Sequence, residues 1–177
     1  MLKILIADDH YMVREGLKSA LTDLAPGLIL FEAEDLSEVL SLLARHDDFD
    51  LVLLDMKMPG MQGIDSLQQV KQAAPAVAVA ILSAYHDRQL IQRALDLGAD
   101  GYISKTSNKE VMLNAIRLIL AGEIYVPSAL LHSSLLDDRK EQFVPMENAH
   151  ARALSSLTTR QQEVFLLMKY GEPLKTP

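Results

Sequence analysis

Residues 3–10 read KILIADDH, a short apolar run that ends in two aspartates and a histidine. Four more apolar runs of strand length follow, at residues 28–33, 51–54, 76–82 and 101–104. Their apolar residues are continuous rather than alternating, which is typical of strands buried on both faces of a sheet. The sequence therefore predicts five buried strands.

The segments between these runs carry apolar residues at helical spacing, such as Val13, Leu17 and Leu21 after the first run. Such spacing indicates helices with one apolar face. Strict alternation of strands and helices predicts right-handed crossovers and a parallel sheet. The predicted fold is therefore α/β, a doubly wound five-stranded (βα)₅ domain over about residues 1–122.

The composition, with 49% hydrophobic and 23% charged residues, is typical of a globular protein. Cysteine is absent, which excludes disulfides, thiolate catalysis and zinc bound by cysteine. No apolar run approaches the roughly 18 residues needed to cross a membrane, and the apolar stretch before Asp8 is too short for a signal peptide. We therefore expect a cytoplasmic protein without a membrane partner.

The charge distribution bears on nucleic-acid binding. Residues 1–127 have 11 Lys and Arg against 18 Asp and Glu, while residues 128–177 have 6 of each. Neither part has the basic surplus that binding to a phosphate backbone normally requires. Composition therefore argues against DNA binding by this chain alone.

Ligands of doubly wound sheets bind outside the carboxyl ends of the strands. The polar residues that directly follow the predicted strands are Asp8, Asp9 and His10, then Asp55, Ser83 and Lys105. Glu34 and Asp35 follow the second strand but lead into a helix, so we interpret them as structural, helix-capping acids.

Three carboxylates at one sheet edge repel one another unless positive charge lies among them. Lys105 supplies one positive charge, and a hard divalent cation such as Mg²⁺ would supply the rest through oxygen ligands. A carboxylate beside a cation and an ammonium group can act as a nucleophile towards phosphorus. Asp55 is best placed for this role because it follows a central strand. The five histidines lack metal-ligand spacing, although His10 is close enough to the acids to modulate the site.

The chain resembles the receiver domain of two-component response regulators in four motifs over about residues 1–122. They are Asp8-Asp9 after the first strand, the D-x-x-x-P-G stretch from Asp55, a hydroxyl residue at 83, and Lys105. The resemblance implies the flavodoxin-like, CheY-like fold with strand order 2-1-3-4-5 and a sensor histidine kinase as partner.

The same resemblance implies a role for each site residue. Asp55 would accept the phosphoryl group, and Lys105 would contact it. Asp8, Asp9 and Asp55, with the backbone carbonyl of Lys57, would bind magnesium, while Ser83 and Tyr102 would form a switch pair in which Tyr102 rotates in from the surface. Considered singly, Ser83 could instead be an ordinary loop hydroxyl and Tyr102 a static core residue.

The stretch AGEIYVPSAL at residues 121–130 and LTTRQQEVFLLMKYG at 157–171 are similar to response regulators of the NarL/FixJ type. In these, a linker joins the receiver to a LuxR-type helix-turn-helix domain. The fifth helix is apolar beyond its core stripe, at Val111, Leu113, Leu118 and Leu120. Either it packs deeply, or it offers a homodimer surface.

From residue 123 we predict a linker to residue 153, with one short helix near 128–136, and then a C-terminal helical extension. At residues 154–177 the first helix of a LuxR-type domain is expected, capped by Thr158 and Gln161 and ended by Gly171. The last six residues, EPLKTP, are too few and too proline-rich for a recognition helix. We therefore expect no specific DNA binding by this chain alone, and promoter DNA as a partner of a complete parent protein.

Two functions remain open at this point. The chain is either a phosphorylation-controlled regulator of transcription or a stand-alone receiver that acts through protein contacts or phosphoryl storage. Both are signalling functions rather than enzymatic ones, and both depend on the same acidic site.

Overall fold

Five parallel strands form one sheet in the computed structural model, which describes residues 1–84 and 87–127. The strands are β1 (Lys3–Ala7), β2 (Ile29–Ala33), β3 (Leu51–Asp55), β4 (Ala78–Ser83) and β5 (Gly101–Ser104). Their order across the sheet is β2-β1-β3-β4-β5. This confirms the predicted fold class and strand order.

Four helices of the described residues connect successive strands, a fifth follows β5, and together they cover both faces of the sheet. They are α1 (Tyr11–Leu21), α2 (Leu36–Arg45), α3 (Ser66–Ala73), α4 (Arg88–Asp96) and α5 (Lys109–Leu120), with a short 3₁₀ turn at Gly63–Asp65. The Asp35 side chain accepts a hydrogen bond from the Glu38 amide at 2.8 Å. This confirms the interpretation of Asp35 as a helix cap.

Two apolar clusters lie on opposite faces of the sheet. One contains buried residues of α2, α3 and α4, and the other contains buried residues of α1 and α5. β3 lies between β1 and β4, and all five of its residues are buried, Asp55 included. A strand covered on both faces carries Asp55 into the interior, and this position sets the chemistry of its carboxylate.

The chain continues along the edge of β5 after α5 ends. The Tyr102 amide donates to the Tyr125 carbonyl at 2.8 Å, and the Tyr125 amide donates to the Asp100 carbonyl at 3.2 Å. Gly101, which pairs with Tyr125, has to be small because an added Cβ would overlap the Ile119 side chain. The residues that follow the predicted boundary at residue 122 are therefore still hydrogen-bonded to the sheet.

Several predictions fall on residues that the structure does not describe. These are the remainder of the linker to residue 153, the short helix near 128–136, and the helical extension capped by Thr158 and ended by Gly171. No helix within residues 1–84 and 87–127 is both long enough and apolar enough to cross a membrane.

Candidate functional site

The carboxylates of Asp8 and Asp55 meet at the carboxyl edge of the sheet, because β1 and β3 are adjacent. Asp8 is 0% exposed and Asp55 is 3% exposed, whereas the Asp9 side chain is partly exposed. Burying a carboxylate is costly unless charges or hydrogen bonds compensate it. The two buried acids therefore require compensation from the residues around them.

Lys105 lies between the two buried acids. Its Nζ is 2.6 Å from Asp8 Oδ2 and 2.8 Å from Asp55 Oδ2. Its backbone amide donates to the Ser83 carbonyl at 2.8 Å, which fixes the start of the loop after β5. Burial lowers the pKa of Lys105, but hydrogen bonds to Asp55 and Asp8 outweigh it and raise the pKa above its ordinary value. The ammonium therefore stays charged.

The other oxygen of each buried acid accepts a backbone hydrogen bond. The His10 amide donates to Asp8 Oδ1 at 2.9 Å, and the Lys57 amide donates to Asp55 Oδ1 at 3.2 Å. Within the described part of the chain, the two Oδ2 atoms have no hydrogen-bond donor besides the Lys105 ammonium. Each of these atoms can therefore accept a further cationic contact.

A divalent cation fits this arrangement by charge and by donor type. One ligand atom from each of Asp8, Asp9, His10 and Asp55 lies within 4.8 Å of the others. Three carboxylates against one ammonium leave net negative charge, and carboxylate oxygens are the ligands that Mg²⁺ prefers. His10 is mostly exposed, and its Nδ1 lies 2.7 Å from Asp9 Oδ1. The position of His10 beside the acids agrees with the sequence interpretation.

The predicted switch residues lie on adjacent strands, with Ser83 at the end of β4 and Tyr102 in β5, where Tyr102 is paired with Ile81 and Ser83 with Ser104. Tyr102 is fully buried, and Ser83 is 6% exposed. Burial raises the pKa of the Tyr102 hydroxyl, although a hydrogen bond with the Ser83 side chain opposes this effect. In this structure the Tyr102 ring is thus already inside the protein, rather than at the surface from which it was expected to rotate.

Arg14 is a site neighbour that sequence reasoning missed. Its side chain is 5% exposed, and Nη1 donates to the backbone carbonyl of Asp8 at 2.7 Å. The signal was present in the sequence, because Arg14, Leu17 and Leu21 follow the i, i+3, i+7 spacing of a core-facing helical stripe. An arginine at a position where an aliphatic residue is expected indicates a buried polar contact.

The family model of the response regulator receiver domain matches residues 4–117. The chain belongs to this family. The match lies within the region predicted to be a receiver, and it spans β1 to most of α5.

Individual relatives identify the type of response regulator. The glycerol metabolism activator of Pseudomonas putida is 40% identical, over 99% of this chain and 79% of the relative. The nitrate/nitrite response regulator protein NarL of Escherichia coli K12 is 32% identical, over 97% of this chain and 77% of the relative. A crystal structure of a LuxR family DNA-binding response regulator from Silicibacter pomeroyi is 36% identical, with a TM-score of 0.64. The structural match covers 73% of this chain and 99% of the solved chain.

The chain is therefore a response regulator of the NarL/LuxR type. This family acts in two-component signalling and in the control of transcription. The family is one of signalling proteins rather than catalysts.

Proposed function

We propose that the chain accepts a phosphoryl group on Asp55 from a sensor histidine kinase, with Mg²⁺ bound beside it. One observation carries the proposal: the buried carboxylate of Asp55 lies 2.8 Å from the Lys105 ammonium and shares that ammonium with Asp8. A carboxylate held against an ammonium in this way can act as a nucleophile towards phosphorus, because the ammonium compensates the charge of the phosphoryl oxygens as they approach.

In the proposed reaction an Asp55 carboxylate oxygen attacks the phosphorus of a phosphohistidine on the kinase. The new bond joins phosphorus to the Asp55 oxygen, while the bond between phosphorus and the imidazole nitrogen breaks. The bonding electrons leave with the imidazole, which takes up a proton from solvent. The product on this chain is an aspartyl phosphate.

Asp8, Asp9, Asp55 and the backbone carbonyl of Lys57 would hold the magnesium ion. When bound, it supplies positive charge against the phosphoryl oxygens. The Lys57 amide already contacts Asp55 Oδ1, so the backbone of this loop passes next to the acid. His10 adds a nitrogen beside Asp9 and modulates the site from the exposed side.

Lys105 and Ser83 respond to the new group. The phosphoryl group carries about −1.5 to −2 charges and three acceptor oxygens, and the ammonium and the Ser83 hydroxyl can contact them. Contact with Ser83 competes with the hydrogen bond that Ser83 shares with Tyr102. Phosphorylation therefore shifts the population between two arrangements of the β4 and β5 ends. The size of the shift is set by the difference in the free energy with which the phosphoryl group interacts with each arrangement.

Incubation with a small phosphodonor is the direct test of this function. We expect Mg²⁺ to support addition of one phosphoryl group per chain, because the ion compensates the charge that gathers around Asp55. A chelator should reduce the labelling to background, and added Mg²⁺ should restore it. Intact-protein mass spectrometry measures the stoichiometry. Equal labelling in chelator and in Mg²⁺ would exclude the magnesium-dependent mechanism.

The proposed partner of the receiver is a second copy of the same chain, which would bind through α5. Of the four additional apolar residues, Leu113 is buried and Leu120 is partly buried, so the deep-packing interpretation holds for these two. Val111 and Leu118 are 41% and 47% exposed. They are seven residues apart and lie on one face of the helix. Two exposed aliphatic residues on one helix face suit an isologous contact with a second copy.

Sedimentation velocity tests the dimer. We expect the wild-type chain with beryllium fluoride, a phosphoryl mimic, to form dimers as its concentration rises. The double variant Val111→Ser, Leu118→Ser should remain monomeric because it removes the apolar contact. Ile124→Ser is the control, since it changes an exposed aliphatic side chain outside α5. A wild-type chain that is monomeric at every concentration, with and without the mimic, would rule out the dimer.

The stand-alone receiver remains the alternative function, and it rests on the same site. The expectation that residues 1–177 alone do not bind specific DNA concerns residues outside the described ranges, and it stays a prediction. Control of a promoter by a complete protein of this type is proposed from its NarL-type relatives.

A further inference from the structure

The guanidinium of Arg14 connects the ends of two neighbouring strands. Nη1 donates to the Asp8 carbonyl at 2.7 Å, Nε donates to Glu32 Oε2 at 2.9 Å, and Nη2 pairs with Glu34. Glu32 lies in β2, and Glu34 directly follows it. A buried guanidinium is stable only when its donors are satisfied. The charge of Arg14 is thus compensated by the two glutamates of the β2 end. Its hydrogen bond to the Asp8 carbonyl holds the backbone that follows β1.

The Asp8 backbone is held on both sides of its α-carbon. Its amide donates to the Ala33 carbonyl at 3.0 Å, and its carbonyl accepts from Arg14. The carbonyl of Asp8 belongs to the peptide unit that joins Asp8 to Asp9. The orientation of that peptide unit sets where both carboxylates point relative to Asp55.

We propose that Arg14 is a positioning residue for the magnesium site, acting through the Asp8–Asp9 peptide unit. The inference rests on the proposed function, since it assumes that these two acids hold the ion. Arg14 contacts neither carboxylate of the site through the bonds described above. Its effect comes from holding the backbone that carries them, in the way that outer partners orient metal ligands in other proteins.

The planar fork of arginine is needed for this role. Its donors point in fixed directions and can reach the Asp8 carbonyl and two glutamates at once. A lysine at this position would keep the positive charge, but its single ammonium could not reproduce the fork. We therefore expect Arg14→Lys to keep the charge of the network but to lose the hydrogen bonds that hold the Asp8 backbone and the two glutamates together.

Arg14→Gln separates positioning from simple electrostatics, because the two effects have opposite signs. Removing a positive charge near a cation site strengthens Mg²⁺ binding if Arg14 acts by charge alone. Loss of an orienting partner weakens metal binding, by about 10-fold to 100-fold in comparable sites. We expect the dissociation constant for Mg²⁺ to rise about 10-fold in Arg14→Gln, and to rise in Arg14→Lys as well.

Lys18→Gln is the matched control. Lys18 also pairs with Glu32, at 2.7 Å, and carries the same positive charge as Arg14. Its other ion-pair partner is Glu15, and it makes none of the contacts to the Asp8 backbone described for Arg14. We expect Lys18→Gln to bind Mg²⁺ as tightly as the wild type or more tightly. Arg14→Lys is the second variant, because it keeps the positive charge beside Glu32 and Glu34 and loses only the fork.

Isothermal titration calorimetry with MgCl₂ measures each dissociation constant on the full chain, and circular dichroism melting checks the fold. If Arg14→Gln does not fold, Arg14→Lys is decisive, because it leaves the charge unchanged: its Mg²⁺ affinity should fall below that of the wild type, and wild-type affinity in this variant would overturn the positioning role. Wild-type affinity in the folded Arg14→Gln chain, or tighter binding as in Lys18→Gln, would overturn the positioning role. A wild-type chain that binds no Mg²⁺ would overturn the proposed function and this role together, so the two failures are distinguishable.

Discussion

Asp55→Asn is expected to reduce phosphoryl transfer from a small phosphodonor to background. An amide is neutral and lacks the nucleophilic oxygen of an ionised carboxylate, so the substitution removes the attacking group. Asparagine has nearly the same shape as aspartate, and Lys105 keeps its ion pair with Asp8 at 2.6 Å. The variant should therefore fold, and the loss should be one of chemistry. Radiolabelling or intact-protein mass spectrometry in the presence of Mg²⁺ gives the measurement.

Asp35→Asn is the matched control for this substitution. It makes the same change at an aspartate that caps α2, and asparagine caps a helix about as well as aspartate. We expect labelling of this variant to equal that of the wild type. If Asp55→Asn were labelled as strongly as Asp35→Asn, the phosphoryl group would be on another residue and the assignment of Asp55 would be wrong.

Ile4→Ala should lower the free energy of unfolding by about 2–5 kcal/mol, because it leaves a cavity in a core that cannot collapse fully. Ile4 is fully buried in β1, where it pairs with Leu30 of β2 and Leu51 of β3. Its position at the start of β1, away from Asp8 at the other end, keeps the site intact. Urea unfolding followed by circular dichroism measures the change.

Ile124→Ala provides the comparison for Ile4→Ala. The side chain removed is the same, but Ile124 is 66% exposed. Its replacement should change the free energy of unfolding by less than about 0.5 kcal/mol. Equal destabilisation by both variants would mean that the burial of β1 does not determine the stability of this domain.

The fold was largely predictable because its periodic signals are local. Continuous apolar runs predicted five strands, and the structure has them with shifts of at most two residues at their ends. The fourth run starts at residue 76, yet β4 begins at Ala78 because residues 75–77 form a turn, closed by a hydrogen bond from the Val77 amide to the Ala74 carbonyl. Asp55 and Ser83 close their strands rather than follow them, since pairing continues through Asp55 with Leu82 and through Ser83 with Ser104.

The candidate site was predictable in its residues and less so in its geometry. The parallel sheet brings the carboxyl ends of β1, β3 and β5 to one edge, so Asp8, Asp55 and Lys105, which lie at or directly after these ends, are grouped there. The sequence left the position of Tyr102 open between a surface residue that rotates in and a static core residue. The structure places the ring fully inside the protein, where its hydroxyl shares a hydrogen bond with Ser83.

The sequence by itself determined the parallel sheet, the acidic edge and the identity of the residues that meet there, because strand periodicity and chain order specify all three. Only the tertiary structure decided that Lys105 bridges Asp8 and Asp55, and that Arg14 holds the Asp8 backbone against Glu32 and Glu34. Apart from the hydrogen bond between Arg14 and the Asp8 carbonyl, six residues away, these contacts join residues far apart in the chain. Their distances follow from how α1 and the loop after β5 pack on the sheet. The pattern KILIADDH therefore predicted where the acids lie, while the packing of α1 established what holds them in place.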